Sequence, residues 1–202
     1  MTRHRTPPRG RVGLIHIYTG EGKGKTTSAL GMALRAVGGG FRVIMIQFLK
    51  ISNRYGELKG AGRLAPGFKI VQMGPECVRI SNDPAADKQC IGCMECHVDP
   101  ANPRISDLEA ARHALDFAEE CMTSGEYDLV ILDEINYAID FKLLAAEDVA
   151  SALERKHEAV EVILTGRSAH PMLVELADYI TEMREIKHPW RASTKARKGI
   201  EY

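Results

Sequence analysis

The chain has 202 residues, of which 45% are hydrophobic, so it is long enough to bury a substantial core as one domain. Its 27 basic and 27 acidic residues balance, which excludes a strong overall field that would attract nucleic acid or a membrane surface. No apolar run approaches the ~20 residues that a membrane-spanning helix needs. We therefore predict a single domain over residues 1–202, with neither nucleic acid nor a membrane as its partner.

Basic residues crowd both ends of this otherwise neutral chain. MTRHRTPPRGR (1–11) lacks the apolar stretch of a secretory signal, so we expect a flexible basic tail there. A second basic segment covers residues 187–202. The five cysteines are odd in number and follow no export signal, which disfavours a disulfide framework. The expected location is the cytoplasm.

The first half of the chain begins with two strands that flank a helix. VGLIHIY (12–18) and FRVIMIQF (41–48) are apolar runs typical of buried strands. Between them, apolar residues recur at helical spacing over 26–37, and GGG (38–40) ends that helix. FKIVQM (68–73) is a predicted strand, whereas residues 74–104 show no period and predict an irregular, cysteine-containing insertion.

A long helix is predicted after this insertion. Ser106 and Glu109 fit a capping box, in which each side chain satisfies a backbone amide at the helix start. The helix is predicted to end at Gly125. Its buried face is predicted to carry Leu108, Ala111, Leu115, Ala118 and Met122.

The remainder alternates strands with shorter helices. YDLVILD (127–133), AVEVILT (159–165) and YITEM (179–183) are predicted strands. Helices are expected around 146–156 and from about Pro171. The alternation along the whole chain predicts an α/β fold with a mostly parallel central sheet.

The stretch TGEGKGKTT (19–27) lies between the first predicted strand and helix. In that context, successive backbone N–H groups can converge on a phosphate, and the helix N-terminus favours an anion. Glycines at 20, 22 and 24 permit the tight path. Lys25 would reach phosphate oxygens, and the Thr26 hydroxyl would ligate Mg²⁺. The common spacing Gly-x-x-x-x-Gly-Lys-[Ser/Thr] would place glycine where this chain has Thr19.

Asp133 and Glu134 supply the second half of such a site. A carboxylate at the end of a neighbouring apolar strand can hold magnesium directly or through water. Loop and carboxylates together predict a P-loop (RecA-like) nucleotide-binding fold that uses ATP and Mg²⁺. These residues alone do not separate hydrolysis from another attack on ATP.

Together these pieces resemble the P-loop type of ATP:corrinoid adenosyltransferase, a family of cobalamin biosynthesis and salvage. The resemblance covers most of the chain outside roughly residues 74–104, and threonine at position 19 is itself a feature of the family. The matching stretches are TGEGKGKTTSALGMALRAVGGG (19–40), VIMIQFLK (43–50), YDLVILDEINYAI (127–139), VILTGR (162–167) with His170, LADYITEMREIKH (176–188) and KARKGIEY (195–202).

The resemblance implies transfer of the 5′-deoxyadenosyl group of ATP to the cobalt of a corrinoid, either cobalamin or a precursor. Reduced Co(I) attacks the ribose 5′ carbon and inorganic triphosphate leaves, with ATP lying reversed relative to ordinary P-loop enzymes. Because cobalt is the nucleophile, no nucleophilic side chain is required. An electron donor must reduce the cobalt, and the family suggests a homodimer.

The resemblance also implies roles for individual residues. Lys25, Thr26 and Glu134 are the implied catalytic residues, and Thr26, Asp133 and Glu134 the implied magnesium ligands. A solvated charge stays open as the alternative for Arg35, as does a helix-start role for Arg167 and His170. The implied cofactor-binding residues are Thr19, Gly20, Glu21, Gly22, Lys23, Gly24, Lys25, Thr26, Thr27, Arg35, Arg167 and His170.

The sequence departs from the family after the third predicted strand. Family members place aromatic residues there, which help displace the lower axial ligand of the corrinoid, but MGPECVRISND (73–83) contains none. Two consecutive C-x₂-C steps follow instead, and thiolates at this spacing suit zinc or an iron–sulfur cluster. Reduced thiols in an irregular loop are the alternative. The predicted ligands are Cys90, Cys93 and Cys96, with Cys77 as the fourth and His97 as its alternative.

Two other classes of function stay open at this point. The first is an ordinary P-loop ATPase or kinase, which would release ADP rather than triphosphate. The second is a non-catalytic corrinoid carrier or sensor that binds nucleotide and metal without turnover. Cys121, which falls within the predicted long helix, is expected to lie in the core.

Overall fold

The computed structural model describes residues 12–52, 55–76, 97–189 and 196–201. In these ranges, the strands are β1 (Ile15–Thr19), β2 (Val43–Phe48), β3 (Phe68–Met73), β4 (Leu129–Asp133), β5 (Glu161–Thr165) and β6 (Tyr179–Glu182). The helices are α1 (Lys25–Gly38), α2 (Gly56–Arg63), α3 (Ile105–Thr123), α4 (Ile135–Asp140), α5 (Ala146–Glu154) and α6 (Pro171–Leu176). No helix among these described residues is both long and apolar enough to cross a bilayer.

The six strands form one sheet in the order β3-β2-β4-β5-β1-β6, and each neighbouring pair is parallel. Strands β2 and β4 are buried along their whole length because helices cover both faces of the sheet. That double burial is why their sequences are continuous apolar runs rather than alternating ones. The predicted α/β fold with a mostly parallel sheet is confirmed.

Two clusters of buried side chains pack on opposite faces of the sheet. On one face, α1 and α2 bring alanines such as Ala29, Ala33 and Ala61 against Met45 and Ile131. On the other face, α3, α4 and α5 cover the alternate strand residues. Small residues on the inner face of α1 let the helix backbone approach the sheet closely, which places the loop before α1 next to the strand ends.

The predicted capping box at Ser106 and Glu109 is wrong. Helix α3 begins at Ile105, and Asp107 makes the box instead, because its carboxylate accepts the Arg104 backbone N–H at 2.9 Å. The Arg104 guanidinium donates to the same carboxylate, at 3.0 Å from Nε and 2.7 Å from Nη2. This pairing lets Asp107 be only 1% exposed.

The predicted buried face of this helix is correct except at its first position. Leu108 is 38% exposed, since the stripe that faces the sheet is centred further along α3. Its buried residues are Asp107, Ala111, Ala114, Leu115, Ala118, Cys121 and Met122. Cys121 is therefore a core residue, as predicted, and burial raises the pKa of its thiol to about 11.

Candidate functional site

The glycine-rich loop over residues 20–24 joins the carboxyl end of β1 to α1. Because all six strands are parallel, their carboxyl ends meet at one edge of the sheet. Asp133 ends β4 at this edge, and Lys50 follows β2 there. Ligands of open parallel sheets bind at such an edge, so the loop and these side chains lie where a site is expected.

The chain that follows β6 packs directly against this loop. The Gly22 N–H donates to the Met183 carbonyl at 2.5 Å, and the Met183 N–H donates to the Thr19 carbonyl at 2.7 Å. A Cβ on Gly20 or Gly22 would come within 2.6 Å or 2.7 Å of the Met183 carbonyl oxygen. Gly24 adopts φ 120°, a left-handed value that favours glycine. The loop path therefore requires glycine at all three positions.

Lys25 lies at the start of α1 and folds back over the loop. Its ammonium donates to the Gly20 carbonyl at 2.6 Å and to the Gly22 carbonyl at 2.8 Å. Burial, and then the nearby Arg167 guanidinium, lower the pKa of Lys25 below its usual value. A half-buried cation is thus held at the centre of a loop whose helix N-terminus also favours anions.

The Asp133 carboxylate is fully buried and accepts four side-chain hydrogen bonds. Its Oδ1 accepts from the hydroxyls of Thr26 and Thr165, both at 2.8 Å. Its Oδ2 accepts from Lys50 Nζ at 2.7 Å and from Gln47 Nε2 at 3.1 Å. Four donors, one of them charged, hold this carboxylate in a single orientation and fix the Thr26 hydroxyl beside the loop.

Glu134 follows Asp133 with a left-handed backbone at φ 66°, which turns the chain sharply into α4. Its N–H donates to the Thr165 hydroxyl at 3.0 Å, but its buried Oε2 has no hydrogen-bond partner among the described residues. Burial, and then the adjacent Asp133 charge, raise the pKa of the Glu134 carboxyl. A buried carboxylate oxygen without a partner is the feature that a bound cation would satisfy.

A cleft of about 520 Å³ opens beside these groups. Its walls include Thr26, Thr27, Lys50, Glu134 and, from the C-terminal segment, Ile200. The cleft contains the half-buried side chains of Lys50 and Glu134, and it lies at the N-terminus of α1. Its glutamates Glu57, Glu134 and Glu201 outnumber its lysine, Lys50, so a polyphosphate would enter this cleft together with a cation.

The other predicted nucleotide contacts are Arg35, Arg167 and His170, and they differ in how close they lie to the loop. Arg35 is exposed on α1, about 15 Å along the helix axis from Lys25 at 1.5 Å per residue. Arg167 pairs with Glu21 at 2.6 Å, so it does lie beside the loop. His170 caps α6, where its Nδ1 accepts the Met172 N–H at 3.4 Å. The structure therefore brings Arg167 to the loop and leaves Arg35 away from it, while Ala169, the neighbour of His170, donates its N–H to the Thr19 hydroxyl at 3.4 Å.

The predicted cysteine ligands Cys77, Cys90, Cys93 and Cys96 lie outside the described residues. His97, the alternative ligand, is described and is exposed. Within the described ranges, no three His, Cys, Asp or Glu side chains are grouped closely enough to hold a metal ion. The predicted zinc or iron–sulfur site therefore stays a prediction.

Sequence reasoning missed three residues that the fold brings to the site: Gln47, Lys50 and Thr165. Each carries a signal in retrospect, since each is polar and lies in or directly after an apolar strand. Gln47 is fully buried within β2 although the sequence around it is apolar. A buried polar residue in such a run must have partners, and here the shared partner is Asp133.

Fold and site define a class of protein: an α/β protein with a parallel sheet, whose glycine-rich loop before the first helix adjoins a buried pair of carboxylates. The family model for ATP:corrinoid adenosyltransferase BtuR/CobO/CobP matches residues 11–202. The chain therefore belongs to this family.

Curated relatives agree with the family match. The chain is 34% identical to the corrinoid adenosyltransferase of Escherichia coli strain K12, over 94% of this chain and 86% of that protein. It is 32% identical to the corrinoid adenosyltransferase CobA of Salmonella typhimurium, with the same coverage of 94% and 86%. Identity to the corrinoid adenosyltransferase of Pseudomonas aeruginosa is 30%, over 94% and 84%. The predicted family, and with it the transferase class, is confirmed.

Proposed function

We propose that this chain transfers the 5′-deoxyadenosyl group of ATP to the Co(I) centre of a corrinoid and releases triphosphate. The observation that carries the proposal is the glycine-rich loop with Lys25 at its centre, in a chain that belongs to the ATP:corrinoid adenosyltransferase family. Cobalt belongs to the substrate and is the nucleophile. The protein's part is to position ATP and to stabilise charge on the leaving group.

The loop holds the leaving triphosphate in this proposal. The Lys25 ammonium would exchange its two loop carbonyls for phosphate oxygens, a stronger charge-assisted interaction. Thr26 and Thr27 line the cleft beside the loop, and Lys23 adds an exposed cation on the loop. Negative charge grows on the triphosphate as the C5′–O bond breaks, so these groups stabilise the transition state more than the ground state.

The residues at the sheet edge fit a magnesium ion. The buried Glu134 Oε2 has no partner among the described residues, and the Thr26 hydroxyl is fixed by its bond to Asp133. Mg²⁺ is commonly bound by one or two carboxylates together with substrate phosphates. Glu134 and Thr26 would hold the ion, with Asp133 orienting Thr26, and direct binding of the ion by Asp133 stays a prediction. When bound, the ion would neutralise part of the triphosphate charge.

The corrinoid side of the site is proposed from the family alone.

Arg167 lies close enough to the loop to contact nucleotide, and a contact from Arg35 or His170 stays a prediction. A zinc or iron–sulfur site at the four cysteines, an electron donor for cobalt, a homodimer and a cytoplasmic location are likewise predictions. So is the P-loop assignment of the fold.

One experiment tests the proposed reaction directly. Anaerobic protein is incubated with ATP, Mg²⁺ and chemically reduced corrinoid, while the corrinoid spectrum and the phosphate products are followed. We expect a cobalt–carbon spectrum and one triphosphate per adenosylated corrinoid. ADP with phosphate would instead favour the ATPase or kinase, and ATP binding without any product would favour the carrier or sensor.

A matched pair of variants tests the loop: one replaces the lysine in the loop, and the other replaces an exposed lysine on α2. Lys25→Ala removes the cation at the loop centre, and we expect adenosylation to fall by about 10²-fold or more. Lys59→Ala removes an exposed lysine of α2 and should leave turnover unchanged. Unchanged turnover in Lys25→Ala would overturn the role of the loop.

A further inference from the structure

Lys50 is held at the site by the backbone on both sides. Directly after β2, Leu49 adopts a left-handed φ of 61°, which is uncommon for a residue other than glycine and ends the extended strand. The Gly74 N–H then donates to the Lys50 carbonyl at 2.9 Å. A Cβ on Gly74 would lie 2.7 Å from the Lys50 nitrogen, so the chain after β3 packs against this turn without spare room. These backbone contacts fix the position of Lys50 independently of its side chain.

The Lys50 side chain pairs with a buried carboxylate. Its Nζ lies 2.7 Å from Asp133 Oδ2 and 5.4 Å from the centre of the Tyr55 ring, and the side chain is 16% exposed. Gln47 supports the same Asp133 oxygen, and Gln47 is itself held by Gln72 Nε2 at 3.0 Å. A lysine in this position supplies the positive charge that a fully buried carboxylate needs.

The contact continues from Asp133 to the phosphate loop. Asp133 Oδ1, the oxygen that Lys50 does not touch, accepts the Thr26 hydroxyl at 2.8 Å. The Asp133 carboxylate therefore bridges Lys50 and the Thr26 hydroxyl, which lies beside the loop. Glu134, the next residue, lines the same cleft as Lys50. Loss of the Lys50 charge would leave the buried Asp133 carboxylate with three neutral donors, so we expect Asp133 to shift and its bond to Thr26 to change.

We infer that Lys50 is a positioning residue for magnesium-dependent ATP binding, acting through Asp133 on Thr26. Its ammonium fixes the Asp133 carboxylate so that the Thr26 hydroxyl donates to Asp133 and turns its lone pairs towards the ion and the phosphates. This inference rests on the proposed function. It differs from a direct contact between Lys50 and triphosphate, because the effect depends on the bound cation and on the Asp133 charge.

The test measures ATP affinity by isothermal titration calorimetry, once with Mg²⁺ and once with a chelator. In the wild type we expect Mg²⁺ to tighten ATP binding. Lys50→Met should lose about tenfold or more in affinity when Mg²⁺ is present and less than about twofold with the chelator. Lys59→Met is the control and should match the wild type in both conditions. Thermal unfolding checks that each variant is folded.

A second arm asks whether the effect passes through Asp133. In an Asp133→Asn background, Lys50→Met should change the affinity for ATP with Mg²⁺ by less than about twofold, because the interaction that it removes is already absent. Lys50→Gln, which is neutral but keeps a donor, is the substitute if Lys50→Met does not fold, and should give the same loss. An equal loss with and without Mg²⁺, or in both backgrounds, would mean direct phosphate contact and would overturn the inference.

The wild-type measurement separates this inference from the proposed function. No effect of Mg²⁺ on the wild type would overturn the proposed magnesium site and the inference with it. A clear effect of Mg²⁺ that survives in Lys50→Met would overturn the inference alone.

Discussion

Gly22 is the point at which the glycine-rich loop and the chain after β6 hold each other. Replacing it with alanine adds one methyl group where the built Cβ would lie 2.7 Å from the Met183 carbonyl oxygen and 2.8 Å from the Arg184 carbonyl carbon. All of these are backbone atoms, so no flexible side chain can move aside. The Gly22 N–H is also bound to that Met183 carbonyl. Either the loop or the chain after β6 must shift.

The size of the effect follows from this crowding. Overpacking of a fixed site costs about 1–3 kcal/mol, which for a domain of this length lowers Tm by roughly 2–12 °C. Gly31 provides the matched control, since a Cβ there meets nothing within 4 Å and the residue lies on the exposed side of α1. Gly31→Ala should stabilise by about 0.4–1 kcal/mol, because alanine is the better helix residue.

Differential scanning calorimetry on both variants, followed by ATP titration, checks this reasoning. We expect Gly22→Ala to lower Tm and to weaken ATP binding, and Gly31→Ala to raise Tm slightly with unchanged binding. If Gly22→Ala unfolds at the wild-type temperature and binds ATP normally, the close approach of Met183 to the loop is refuted.

Two further predictions concern α3. Asp107→Ala should lower the free energy of unfolding by about 0.5–2 kcal/mol through loss of the cap, as measured by chemical denaturation. Glu109→Ala, at an exposed position, should change that free energy little. Equal losses in the two variants would contradict the cap at Asp107. The thiol of Cys121 has a pKa raised by burial from 9.0 to about 11, so it stays protonated in the fold while the unfolded chain ionises. The stability from this group is complete below pH 9 and is lost as pH rises from 9 to about 11. Urea titrations across that range should show a steeper loss for the wild type than for Cys121→Ala, and parallel curves would exclude a buried, protonated thiol.

Local patterns were sufficient for most elements of the fold. The apolar runs that became β2 and β4 are long because both faces of the sheet are covered, and such runs are visible without any structure. Helix α2 was not predicted, since GELKGAGR contains three glycines and only one residue that becomes buried, Ala61. Its helical form depends on packing Ala61 against the sheet rather than on propensity.

The cap of α3 shows how a local pattern can mislead. Ser106 and Glu109 have the right spacing for a capping box, yet Arg104 and Asp107 have it too once an arginine serves as the capping residue. The choice between them was made by burial, because Asp107 faces the interior and Glu109 faces solvent. Sequence spacing does not indicate which of the two acidic residues is buried.

The sequence by itself determined the glycine-rich loop, its lysine and the carboxylates at the end of β4, because each is a contiguous motif attached to one strand. Only the tertiary structure decided which distant residues contact the loop and these carboxylates. Lys50, which follows β2, and Thr165 of β5 contact Asp133 although they lie 83 and 32 residues from it along the chain, and Met183 contacts Gly22 from the far end of the domain. The parallel sheet makes these contacts by aligning the carboxyl ends of strands that are distant in sequence. The spacing of residues along the chain does not predict which strand ends lie side by side.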